Sequence, residues 1–177
     1  MSAGGERVGA ADLFRAHARF VAGFLLRIGV PRGEVDDLVQ EVFLTAHRKG
    51  GFEPGRAKAT TWLCGIATRV WSNRARSMRR KPTEPLAPAE HAIASSQPDP
   101  EREVAAKRDL ERLSRALDEL DADHRPVFVL YELDGLSCAE IAEGLAVPVG
   151  TVYRRLHTAR ARVRAAYERG GAKRHVG

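Results

Sequence analysis

Thr151, Arg154, Arg155, His157 and Thr158 crowd into eight positions near the end of the chain, with Arg162 just beyond. They form no nucleophile–base pair and no metal-ligand set. At about 100° per residue they share one arc of a helix, while Val152, Leu156, Ala159 and Val163, spaced four, three and four apart, make a narrow apolar stripe on the other side. A helix divided this way buries the stripe and turns cations and hydroxyls outward. Such an arc suits the base edges and phosphates of a duplex major groove.

The residues just before it are the ones needed to position such a helix. Ser137 with Glu140 three residues later is a capping-box pattern, and Ile141, Ala142 and Leu145 follow at helical spacing. Ala146, Val147 and Pro148 then make a turn, since proline is tolerated at a new helix's first turn but not in an interior. Two short helices at a tight turn, the second rich in arginine, read as a helix-turn-helix. A solvated arginine-rich face on an ordinary helix is the plain alternative.

A second constellation lies upstream. In a helix over 35–48, Leu38, Val39, Val42, Phe43 and Ala46 form a core face, whereas Leu44 falls among Asp37, Gln40, Glu41 and Arg48 on the opposite arc. One apolar anchor within a polar rim suits a protein-binding spot. A singly exposed leucine is equally compatible. The next helix, over 60–80, sets Trp62, Leu63, Ile66, Ala67, Val70, Trp71 and Met78 on a broad apolar arc and Thr68, Arg69, Ser72, Arg76 and Arg79 opposite. Aromatic and basic residues on one element suit unstacked nucleic acid, although core packing also accounts for the tryptophans.

Charge is distributed in blocks. Residues 1–53, 54–81, 82–123 and 124–177 carry nets of 0, +8, −6 and +4, so two basic regions flank an acidic one. Two cationic grips suit a polyanion held at two places. Residues 82–100 contain five prolines, a linker composition whose 19 residues reach roughly 60 Å when extended. Helical patterns at 13–28, 35–48, 60–80, 101–120 and 125–133, with no sustained alternation, predict an all-α chain in two domains, 10–81 and 101–169. The glycine-rich ends, 1–9 and 170–177, are expected to fray. Cys64 and Cys138 lie in apolar helical patterns and read as reduced, buried thiols, and six scattered histidines suggest no metal site. With no apolar run of about 18 residues and no leader pattern, a cytoplasmic location is expected. Neither cofactor nor catalysis is expected, since Asp36 and Asp37 sit on a helix surface without a phosphate-binding loop.

The strings V-D-D-L-V-Q-E-V-F-L-T-A-H, T-W-L-C-G-I-A-T-R-V with its arginine run, L-D-E-L-D-A-D-H-R-P-V-F-V-L-Y and G-T-V-Y-R-R-L-H-T-A-R resemble, in that order, a bacterial RNA polymerase sigma factor of the extracytoplasmic-function (ECF) group. The resemblance runs from about residue 10 to 168. It implies that Asp37, Gln40, Glu41, Leu44 and Arg48 dock on the clamp coiled coil of the polymerase beta-prime subunit. Thr68, Arg69, Ser72, Arg76 and Arg79 would read and help melt the minus-ten element, and Thr151, Arg154, Arg155, His157 and Thr158 would read the minus-thirty-five element as duplex. Core polymerase, including its beta flap, promoter DNA and an anti-sigma factor are the implied partners. Arg69 stands where the family usually has asparagine, Asn73 where aspartate is common, and Ala146 where glycine is common at the turn, so minus-ten base preference does not transfer and slight strain is expected at the turn. A stand-alone helix-turn-helix regulator is the alternative function.

Overall fold

In a computed structural model, residues 7–55, 57–79 and 100–172 are described. Seven helices are present among them: α1 Ala10–Arg27, α2 Arg32–Arg48, α3 Ala59–Arg79, α4 Pro100–Asp118, α5 Arg125–Phe128, α6 Cys138–Leu145 and α7 Val149–Ala172. A π-helical turn, Val129–Leu133, continues α5 and ends where the Asp134 amide donates to the Val129 carbonyl. The all-helical expectation is met. The expected linker at 82–99 lies outside the described residues.

The predicted apolar stripes are the buried ones. Leu38, Val39, Val42, Phe43 and Ala46 of α2 meet Leu13, Val21, Phe24 and Leu25 of α1 and Leu63, Ile66, Ala67 and Val70 of α3. Burying a leucine or phenylalanine contributes about 1.5–3 kcal/mol, so these stripes dominate the stability of the three-helix unit. Trp62 and Trp71 are only half-buried; Trp62 tilts against Phe52 with ring centroids 5.6 Å apart.

The chain start is tied down from residue 7. Val8 and Phe52 exchange backbone hydrogen bonds of 2.8 and 3.0 Å, and Arg7 pairs with Glu53 at 2.9 Å. The expectation of fraying over 1–9 is therefore corrected for residues 7–9: Arg7 and Val8 find partners at Glu53 and Phe52, and Gly9 O accepts from Leu13 N at the start of α1. Composition reports local preference and is blind to such pairing.

The C-terminal helices pack directly on the N-terminal ones, and the larger core cluster runs without a break from Leu13 to Leu156. At the seam α3 meets α6 at Gly65 and Gly144, where a Cβ on Gly65 would lie 1.8 Å from the Gly144 carbonyl oxygen. Only hydrogen side chains permit that approach. Each half also donates an arginine to the last carbonyl of a helix in the other. Arg125 Nε donates to Arg27 O at 2.8 Å, ending α1, and Arg69 Nη2 donates to Leu145 O at 3.0 Å, ending α6. The terminal carbonyls of a helix lack intrahelical partners and carry the negative end of its dipole, so a cation is well placed there.

Arg125 is 5 % exposed, and Asp118 compensates its charge at 2.8 Å. Burial lowers its pKa and the Asp118 pair opposes that shift. Removing Asp118 would strand the buried Arg125 charge, whereas the Asp118 carboxylate is itself partly open to solvent. Gly29, with φ of 95°, makes the turn after α1, and a Cβ there would come 2.8 Å from Arg125 Nη1. Arg27 and Asp134 add a part-buried ion pair at 2.9 Å across the same seam.

Candidate nucleic-acid and protein interfaces

The helix-turn-helix forms as its sequence predicts. Glu140 N donates to Ser137 Oγ at 3.3 Å and Ser137 N donates to Glu140 Oε2 at 2.9 Å, closing both halves of the capping box. Hydrogen bonds from the Ser137 amide and hydroxyl hold the Glu140 carboxyl below its ordinary pKa. Ala146 ends α6 in the left-handed region at φ 50°, ψ 54°, which is where the missing glycine matters. For an L-residue that conformation costs roughly 1–2 kcal/mol; the turn is kept because Val147 N still reaches Ala142 O at 3.0 Å.

On α7, Val152, Leu156 and Ala159 are buried, Arg154 and His157 are exposed, and Thr151, Arg155 and Thr158 are half-buried at the edges of the arc. Among the described residues Arg154 and His157 have no ion-pair partner. Arg155 is engaged, donating to Asp123 at 3.0 Å with only 23 % of its side chain exposed. Tyr153, at 60 % exposure, belongs to the outer face and was not singled out from the sequence. A helical projection could have found it, since it lies one turn from both Gly150 and His157, but an aromatic is easily taken for a core residue.

On α3 the five expected residues are divided. Thr68 and Ser72 are half-buried and Arg76 is exposed, donating to Asn73 Oδ1 at 2.7 Å. Arg69 is exposed but bonded to α6, and Thr68 Oγ1 is shielded from solvent. The side chain of Arg79 is outside those described. The basic block is also not left wholly unneutralised: Arg74 donates to Glu34 of α2 at 2.6 Å. Local charge counting could not see that partner, 40 residues upstream.

On α2 all five predicted residues, Asp37, Gln40, Glu41, Leu44 and Arg48, are exposed together. Leu44 is 56 % exposed within that polar ring. Phe14 of α1, 46 % exposed and edge-on to Phe43 with centroids 5.1 Å apart, is a second outward apolar group on this helix pair. Both cysteines are buried free thiols, and burial pushes the Cys64 pKa well above its ordinary value. No cluster of metal-binding side chains and no helix long and apolar enough to cross a membrane occurs among the described residues.

An anchor in a polar ring, a basic helix and a helix-turn-helix on one helical chain define a nucleic-acid-binding protein with a protein-docking face. Comparison with known proteins narrows that class. The family models for Sigma-70 region 2 and Sigma-70, region 4 match residues 13–81 and 110–163. The RNA polymerase sigma factor CnrH of Cupriavidus metallidurans is 32 % identical over 93 % of this chain and 89 % of its own length. The ECF RNA polymerase sigma factor SigC of Mycobacterium tuberculosis is 36 % identical over 72 % of this chain and 67 % of its own. Among solved structures, CnrH in complex with the cytosolic domain of CnrY aligns with a TM-score of 0.58 at 28 % identity, covering 90 % of this chain and 87 % of that one. The sigma factor RpoE in complex with the anti-sigma factor NepR from Bartonella quintana shares the fold, with a TM-score of 0.69 at 21 % identity over 89 % of this chain and 96 % of that one. The chain belongs to the ECF group of the sigma-70 family of RNA polymerase sigma factors. It directs RNA polymerase to promoters for transcription initiation, and a stand-alone regulator is not favoured.

Proposed function

We propose that this sigma factor divides its work between two units, 10–81 and 101–169, joined by a linker at 82–100. The face of Asp37, Gln40, Glu41, Leu44 and Arg48 binds the beta-prime clamp coiled coil of core polymerase. Thr68, Arg69, Ser72, Arg76 and Arg79 engage the minus-ten element as it melts, trapping unstacked bases. The α7 arc of Thr151, Arg154, Arg155, His157 and Thr158, extended by Tyr153, engages the minus-thirty-five element as duplex. The second unit also meets the beta flap.

The observation that carries this reading is Leu44, an exposed leucine at the centre of a polar ring on the chain that also bears two cationic helices. A self-sufficient repressor has no need of it. Catalysis then belongs to the polymerase, and the chain works in the cytoplasm with it. Because Arg69 caps α6 when the halves are docked, reading both elements at once requires α6 to leave α3. An anti-sigma factor that favours the docked arrangement is the expected inhibitor, by likeness to the CnrH–CnrY and RpoE–NepR complexes.

Run-off transcription tests the reading. Purified core polymerase with this chain should initiate on promoters selected from a randomised library, and the chain alone should bind those duplexes weakly. No stimulation of core enzyme, together with tight two-fold binding of duplex by the chain alone, would establish the stand-alone regulator instead.

A further inference from the structure

Three carboxylates outside the DNA-facing arcs hold α7 on both flanks of its buried stripe. On one flank Arg162 donates to Asp121 and Arg155 to Asp123, each at 3.0 Å. On the other Arg160 donates to Glu132 at 2.6 Å, and its guanidinium lies 4.9 Å from the centroid of the Tyr131 ring. Asp121 and Asp123 belong to the turn between α4 and α5, and Glu132 to the π-helical turn.

Asp121 is the hub. It accepts from the backbone amides of Asp123 and His124 at 3.0 and 3.1 Å and bonds His124 Nδ1 at 2.6 Å, in addition to Arg162. Burial works against its charge, but these hydrogen bonds outweigh it and hold the carboxyl far below the usual range.

We propose that Asp121, Asp123 and Glu132 are positioning residues for promoter reading, fixing the rotation of α7 about its axis so that Tyr153, Arg154 and His157 address the bases. This rests on the assignment of α7 as the minus-thirty-five reader. The need arises from the stripe itself. Val152, Leu156 and Ala159 make a narrow seam, which fixes where the helix lies better than how it is rolled. A roll of about 20° carries an atom about 6 Å from the axis through about 2 Å. That exceeds the tolerance of a hydrogen bond to a base edge.

One exposed ion pair contributes little. Pairs on opposite flanks act together, because rolling the helix either way stretches one set. The arginines of α7 thus differ in their engagement: Arg155, at the edge of the DNA-facing arc, Arg160 and Arg162 are held to the protein by these carboxylates, Arg169 pairs with Glu119, and Arg154 and Arg164 are exposed with no ion pair among the described residues. The carboxylates also keep Arg155 and Arg160 from gripping phosphates indiscriminately.

The experiment uses core polymerase loaded with the full chain and a duplex library randomised through both promoter elements. Asp123→Asn combined with Glu132→Gln removes one hold per flank and leaves the Asp121 hub intact. Base preference in the upstream element should fall by about fivefold or more at the positions that Arg154 governs. Affinity for random duplex should rise, its log–log salt dependence steepening by about 0.9 for each arginine that finds a phosphate. Asp123→Glu with Glu132→Asp should restore the preference.

Merely structural damage would instead lower random-duplex affinity and flatten the salt dependence, overturning the proposal. Unchanged preference in the double variant, with preference lost in Arg154→Ala, overturns the positioning role alone. If Arg154→Ala, Tyr153→Ala and His157→Ala all leave preference intact, the assignment of α7 as a reader falls, and the positioning role with it.

Discussion

Replacing Gly65 by alanine sets two effects of known size against each other. In a helix interior alanine is favoured over glycine by about 0.5–1 kcal/mol, so the N-terminal helices taken alone are stabilised. At the seam the new methyl would stand 1.8 Å from the Gly144 carbonyl oxygen and 2.7 Å from its carbon. An ordinary carbon–oxygen contact needs about 3.3 Å, so α3 and α6 must separate by about 1.5 Å. Neither atom is a side chain that could swing aside. Overpacking of this kind costs about 1–3 kcal/mol, and the upper end applies because Arg69→Leu145 and the glycine contact lie at the same crossing. The propensity gain is shared by the docked and parted states, so the docked arrangement should lose about 2–3 kcal/mol, roughly a 30- to 150-fold shift toward parted halves. Small-angle scattering should record a larger radius of gyration, and hydrogen exchange should quicken in α6 while α1 and α2 keep their protection. Scattering and exchange indistinguishable from the parent chain would refute the claim that backbone contact at Gly65 and Gly144 sets the docking.

Four further outcomes are expected. Ala146→Gly removes the left-handed strain at the turn and should stabilise the protein by about 0.5–1 kcal/mol after allowing for glycine's greater unfolded entropy, a rise in melting temperature of about 1–4 °C. Asp121 has a depressed folded pKa, so its stabilisation is present above the unfolded carboxylate value of about 4 and is lost as pH falls below it. The melting-temperature gap between the parent chain and Asp121→Asn should therefore hold steady from about pH 6 to pH 4 and narrow as the pH falls from about 4 toward 2; a constant gap below about pH 4 would contradict the hydrogen-bonded carboxylate. Leu44→Asp should abolish binding to core polymerase in pull-down without changing the helical circular dichroism spectrum, and unchanged affinity would rule out that face. Arg154→Ala should cost about 1–3 kcal/mol of promoter discrimination if it reads a base, measured by competition between matched and altered upstream elements; an equal loss on all sequences would make it a phosphate contact.

Much of this molecule was legible in one dimension. The stripes on α2, α3 and α7, the Ser137–Glu140 cap and the outward Leu44 all follow from a 3.6-residue period and the chemistry of helix starts. Such features are local, because helical angle and cap geometry depend only on near neighbours. Tertiary structure decided the partners of the charges. Which arginine stays free was not readable, since Arg74 finds Glu34, Arg155 finds Asp123 and Arg69 finds the end of α6 across separations of 32 to 76 residues. Likewise Gly65 and Gly144, unremarkable in their own helices, acquire meaning only when the chain brings their backbones together. Periodicity reports the direction a side chain points from its own axis; what stands in that direction is settled by packing, in which the distant parts of the chain meet.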